Sequence, residues 1–217
     1  MLHPHTELRF VNPKIGYGVF ATQLIAKGTI TWARDDLDRA YSPQEMDQMT
    51  KPYRQVLDKY TFIDSKGLYV LCWDLAKYIN HSCEANCLSA GYEFEIATKD
   101  IQAGEELTDD YGTLNLETGF ECHCNLQSCR RQILFDDLLR YSVKWDRILK
   151  QAFPLILEVF QPLWSFVKEK DDVILAAQNS VHMRSSRANL RPPQRNSSII
   201  TPLANAEPGS HRAALSV

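Results

Sequence analysis

Along residues 7–34, apolar and polar side chains alternate around glycines. Leu8, Phe10 and Val11 come first, then Val19-Phe20-Ala21, Leu24-Ile25 and Ile30, with Gly16, Gly18 and Gly28 between them. Period-two alternation with frequent turn residues predicts short strands joined by tight turns. Ser42-Pro43-Gln44-Glu45 then reads as a capping box with proline in the first helical position. It predicts a helical insert over about residues 43–58, in which Met46, Met49, Tyr53 and Leu57 share a face. Strand character returns at 60–63 and 68–72 around Ser65-Lys66-Gly67, and again at 94–97 and 106–108, with Gly104 at the turn between them.

From Gln132 the period becomes helical. Phe135, Leu138, Leu139, Trp145, Ile148, Leu149, Ala152 and Phe153 form a stripe, which Pro154 and then Pro162 interrupt. These faces are too extensive for a free appendage; they are expected to pack on the rest of the chain or to form a homodimer contact. Past about residue 178, Ser, Asn, Arg and Pro dominate without period, so 179–217 is expected to be a disordered tail.

With 217 residues, 44% of them hydrophobic, the chain has room for one catalytic domain and an appendage. Of its 24 basic and 27 acidic residues, five Arg and one acid fall in 179–217, leaving 19 basic against 26 acidic in the body. An acidic body favours a basic protein partner and argues against direct nucleic-acid contact; a solvated acidic surface without a role is the alternative. Glu158, Gln161 and Pro162 break the longest apolar run, so no membrane segment is expected. The N-terminus lacks a basic region followed by an apolar core, which predicts an intracellular protein, cytoplasmic or, in a eukaryote, nuclear. In that reducing setting the six cysteines read as metal ligands rather than disulfides.

Four motifs carry the chemistry. They are Gly16-Tyr17-Gly18, the run from Tyr78 to Cys87 containing Asn80-His81-Ser82-Cys83, the run from Glu106 to Gly112 ending Asp110-Tyr111-Gly112, and Cys122-His123-Cys124 with Cys129. In this order they resemble the SET domain of protein-lysine methyltransferases, with a post-SET zinc motif, and the short N-terminus is similar to that of small stand-alone SET proteins. The resemblance implies a mainly β SET fold, of small twisted sheets with a knot-like core, plus the helical insert and a C-terminal α-helical extension. It divides the chain into a SET domain (1–112), a post-SET zinc segment (113–131), the helical extension (132–178) and the tail. It implies transfer of methyl groups from S-adenosylmethionine to lysine in a protein substrate, histone or non-histone. A catalytically silent module that binds lysine-bearing peptides is the alternative.

By the same resemblance, Gly16, Tyr17, Gly18, Asn80, His81 and Tyr111 contact the cofactor. Tyr111 and Tyr60 are catalytic, and Tyr60, Tyr78 and Asp109 line the substrate channel. An ordinary strand aromatic is the other reading of Tyr60. If the chain is extended there, Asp109 shares a face with Tyr111 and leaves room for di- or trimethylated products; an Asp109 turned outward at a bulge, without bearing on product, is the alternative. Cys122, Cys124 and Cys129 leave a tetrahedral zinc one ligand short; in the family the fourth is the cysteine of the Asn-His-Ser-Cys motif, here Cys83. Cys87 reads as a small buried hydrophobe, with an alternative ligand as the other reading, and His123 as a solvent-facing histidine, with a substitute ligand as the other reading.

Overall fold

Alternation and one turn set up the first hairpin. Strands β1 (Thr6–Asn12) and β2 (Gly16–Ala21) pair antiparallel and bury Val19 and Ala21. Asn12 Oδ1 accepts from the amides of Lys14 (2.9 Å) and Ile15 (3.0 Å), and Gly16 takes φ +85°, which favours glycine. This computed structural model describes residues 1–192, so most of the expected disordered tail, 193–217, lies outside the described residues.

The following elements are short: β3 (Ile30–Ala33), β4 (Arg39–Tyr41), α1 (Pro43–Gln48), α2 (Lys51–Tyr60), β5 (Thr61–Ile63), β6 (Tyr69–Leu71), β7 (Asn80–His81) and β8 (Cys87–Leu88). Then come β9 (Phe94–Ala97), β10 (Glu106–Asp109), β11 (Phe120–Glu121), β12 (Gln132–Ile133), α3 (Asp137–Ala152) and α4 (Lys170–Gln178). One sheet runs β1-β2-β10-β8-β9-β3, with β7 also paired to β10; β4-β6-β5 and β11-β12 make two smaller sheets. This is the mainly β class of small sheets that the sequence predicts. Among the described residues, no helix is long and apolar enough to cross a membrane.

The insert is two helices rather than one. Ser42 and Glu45 cap α1 reciprocally, with Ser42 N donating to Glu45 Oε2 at 2.7 Å. At Met49 and Thr50 the backbone turns extended, and Pro52 sits in the first turn of α2. A continuous helix would drive the Pro52 ring into the preceding turn and lose a hydrogen bond, so the helix restarts.

The C-terminal stripe packs on the sheet of the same chain. Leu138, Trp145, Leu149, Ala152 and Phe153 join Ile30, Leu88, Phe94 and Ile96 in one core, whereas Phe135 and Leu139 remain exposed. Phe153 stacks on Tyr92 at 5.6 Å between ring centres. Burial of each large side chain contributes about 1.5–3 kcal/mol. A Cβ at Gly28 would lie 2.5 Å from Leu155 Cβ, so glycine there lets the extension approach. Beyond α3, Gln161 lies against β3: Ile30 N donates to Oε1 (2.8 Å), and Nε2 donates to Gly28 O (2.9 Å).

Residues 179–192, expected to be disordered, are packed. Ser186 N and Ser185 Oγ donate to Asp146 of α3 (2.7 and 2.6 Å), and Arg191 N donates to Asn115 Oδ1 (2.9 Å). Arg184 lies over the Tyr92 ring and pairs with Glu169 and Asp172. Polar residues with individual partners give order without hydrophobic period, which is why the pattern misses them.

Candidate active site and metal centre

Parallel pairing of β7 with β10 sets Asn80 beside Thr108 and His81 beside Asp109. The strand ends there. Asp110 caps a 3₁₀ turn over Tyr111–Thr113 by accepting from Gly112 N (3.1 Å). Tyr111 is consequently held at two points: its amide donates to His81 Nδ1 (3.1 Å) and its hydroxyl to Ile79 O (2.6 Å). With Nδ1 accepting, the neutral His81 ring carries its hydrogen on Nε2, which faces Cys83 Sγ at 3.4 Å. Burial pushes the His81 pKa down to about 4, which keeps the ring neutral at pH 7.

Asn80 reaches across to β2. Its Nδ2 donates to Tyr17 O (3.0 Å) and to Glu106 Oε1 (2.7 Å). A Cβ at Gly18 would lie 2.2 Å from that Glu106 oxygen and 2.9 Å from Asn80 Nδ2, so close approach demands glycine. A Cβ at Gly16 would meet nothing within 4 Å, which leaves the start of β2 open to a ligand. The expected cofactor residues Gly16, Tyr17, Gly18, Asn80, His81 and Tyr111 therefore lie on two strands and a turn joined through β10.

Tyr60 ends α2 rather than sitting in a strand, and its ring meets Tyr78 edge-on at 5.4 Å. Tyr78 in turn meets Tyr17 at 6.3 Å. The ammonium groups of Lys59 and Lys77 lie over the Tyr60 and Tyr78 rings. Two of the three expected channel residues thus form one aromatic surface with Tyr17.

Asp109 does not join them. The extended chain stops at Asp109 and Tyr111 lies in the 3₁₀ turn, so the alternation that would put both on one face fails. The Asp109 side chain points inward toward Glu95 and is 3% exposed. Burial, then the neighbouring Glu95, push the Asp109 pKa well above the carboxylate range, and burial raises Glu95 to about 7.

Four thiols converge. The sulfurs of Cys83, Cys122, Cys124 and Cys129 all lie within 4.8 Å of one another, and Cys83 and Cys122 are 3.8 Å apart. A tetrahedron with Zn–S bonds of about 2.3 Å has edges of about 3.8 Å, so the donor set and its spacing fit zinc. Cys87 is buried in β8, outside the cluster, and His123 is exposed near Glu121.

Sequence reasoning missed the residues that join these parts. Asp110 pairs with Arg130 and accepts from Trp145 Nε1 of α3 (3.1 Å), while Arg130 N donates to Cys83 Sγ (3.4 Å). Phe120 places its ring 6.1 Å from Tyr111 and 6.0 Å from His81. The signals were present: Asp110 directly precedes Tyr111, and Arg130 directly follows the last clustered cysteine.

Residues 16–112 match the family described as SET domain. The variant-silencing SET domain-containing protein of Plasmodium falciparum (isolate 3D7) is 30% identical over 173 residues, which cover 70% of this chain and 6% of that protein. Histone-lysine N-methyltransferase ASHH2 of Arabidopsis thaliana is 28% identical over 148 residues, 60% of this chain and 8% of that one. The chain therefore spans less than a tenth of either relative. Among solved structures, the methyltransferase domain of human histone-lysine N-methyltransferase SETMAR overlays with a TM-score of 0.41 at 20% identity, covering 62% of this chain and 59% of that one.

Proposed function

The chain belongs to the SET-domain family through residues 16–112, and from that premise we propose that it is a protein-lysine N-methyltransferase that uses S-adenosylmethionine and holds a structural zinc. One observation carries the reading. β10 pairs with Val19 and Phe20 of β2 and with Asn80 and His81 of β7, Asn80 reaches Tyr17 O near the start of β2, Tyr111 follows on the His81 ring, and the four-thiol cluster adjoins them through His81 and Cys83.

S-adenosylmethionine, when bound, supplies an electrophilic methyl group on a sulfonium whose charge disfavours protonation of a nearby amine. The chain's own residues do the rest. Asn80 and the backbone of β2 bind the amino-acid end of the cofactor. Tyr17, Tyr60 and Tyr78 take the aliphatic stem of a lysine along their faces and exclude water from it. Tyr111, fixed by His81 and Ile79, orients the amine for attack. The four cysteines hold zinc and so tie residues 122–129 to the segment that carries His81. The excess of acidic residues outside the tail favours a basic, lysine-containing protein segment as substrate.

The test is incubation of the purified chain with radiolabelled S-adenosylmethionine and core histones or a lysate. Label is expected on lysine side chains. Absence of transfer to any protein, with zinc bound, would overturn the enzyme reading and leave a lysine-peptide-binding module.

A further inference from the structure

The Asn80 side chain has a donor end and an acceptor end, and its surroundings dictate which points where. Tyr17 O and Glu106 Oε1 both lie at hydrogen-bond distance from Nδ2, at 3.0 and 2.7 Å. Neither a carbonyl nor a carboxylate has a hydrogen to give. Turning the amide over would set the lone pairs of Oδ1 against both, so Nδ2 must face them. Oδ1 then points the other way, and among the described residues it accepts no hydrogen bond. Glu106 is itself anchored in the sheet: it pairs with Phe20 of β2, and its carbonyl accepts from Asn86 Nδ2 at 2.8 Å. Gly18 keeps the space between them clear.

We propose that Glu106 is a positioning residue, which locks the Asn80 amide so that Oδ1 is presented as an acceptor to the α-ammonium of the cofactor. This deepens the cofactor reading proposed above and rests on it. Tyr17 O alone cannot enforce the orientation, because one carbonyl contact can be lost when the amide turns, whereas a carboxylate fixed in a strand penalises the turned state directly. Glutamine at 106 could donate as well as accept, so a turned Asn80 amide would keep a partner there and lose only its bond to Tyr17 O, and the acceptor would no longer be guaranteed.

Calorimetry on the full chain tests this with S-adenosylhomocysteine and its analogue lacking the α-amine. A charge-assisted hydrogen bond to the ammonium should make the wild type prefer the amine-bearing ligand by about tenfold or more. Asn80→Ala should abolish the preference. Glu106→Gln should reduce it to below about threefold while leaving affinity for the des-amino analogue within about twofold, a pattern that general loss of structure does not produce. If Glu106→Gln keeps the wild-type preference while Asn80→Ala loses it, the positioning role is overturned and the cofactor reading stands. If the wild type fails to bind S-adenosylhomocysteine, or Asn80→Ala keeps the preference, the cofactor reading falls and this inference with it. Should Glu106→Gln fail to fold, Gly18→Ala decides: its methyl displaces the Glu106 carboxylate, and an unchanged preference overturns the proposal.

Discussion

Asp110 and Arg130 meet fork to fork, with Nη1 to Oδ2 at 2.8 Å, although their side chains are only 2% and 9% exposed. The pair joins three parts of the chain. Asp110 caps the turn carrying Tyr111, Arg130 follows the cysteine cluster, and Tyr141 and Trp145 of α3 lie against the guanidinium at 4.7 and 6.0 Å. Truncating one partner strands a buried charge.

Arg130→Ala should therefore cost about 3–5 kcal/mol. Replacing both partners, as in Asp110→Asn with Arg130→Met, should cost less than Arg130→Ala alone because the Asp110 charge goes with its partner and only Asp137, 3.6 Å from the guanidinium, loses its cation. Urea unfolding of the three proteins checks the order. An Arg130→Ala chain as stable as the wild type would remove the pair from this role.

One zinc per chain is expected, on Cys83, Cys122, Cys124 and Cys129. Cys83→Ser should lower the metal content sharply, whereas Cys87→Ser, which alters a buried strand residue, should leave it near one. Chelation should destabilise the fold, since ligands from separate segments make metal binding part of folding energy. Elemental analysis of protein purified without chelator provides the measurement.

Tyr111→Phe deletes a hydroxyl that donates to Ile79 O while leaving the ring against His81 and Phe120. Turnover should fall by about 10²–10⁴-fold, with S-adenosylhomocysteine affinity nearly unchanged. Equal loss of both would mean that the hydroxyl serves structure rather than reaction.

The buried Glu95–Asp109 pair gives stability a pH dependence. Glu95 has its folded pKa raised to about 7, so between the ordinary carboxylate range and pH 7 the folded state holds a proton that the unfolded state has lost. This contribution is full at low pH and declines as pH rises through about 7, by an amount on the order of 3 kcal/mol. Glu95→Gln should flatten that decline, so its melting temperature should rise relative to wild type from pH 5 to pH 8. A constant difference between the two proteins across that range would show that Glu95 is not the titrating group.

Much of the site was legible because its motifs are local. Asn80-His81, Tyr111 and the cysteines each sit where short runs announce them, and the helical stripe foretold the burial of Leu138, Trp145, Leu149, Ala152 and Phe153, though not the exposure of Phe135 and Leu139. Asp109 was misread because its direction depends on where β10 stops, and Asp110 decides that through a side-chain cap rather than through periodicity. Residues 179–192 were misread because their order comes from single contacts to Asp146 and Asn115, far away in sequence. Glu106 escaped notice for a similar reason: its partner Asn80 lies 26 residues away, on another strand.

Gln161 has one more consequence. β3 ends its sheet, and such an edge normally exposes amide and carbonyl groups on which another chain can build. Here the Gln161 carboxamide stands in for a peptide unit at Ile30, while His3 N donates to Thr31 O (2.9 Å) and Ala33 N to Met1 O (3.0 Å). The outer rungs of β3 are answered from within the chain, by an amino-terminal segment on one stretch and a glutamine on the next. That side of the sheet is closed to strand recruitment, so the extension also guards the domain against growing edge to edge into aggregates.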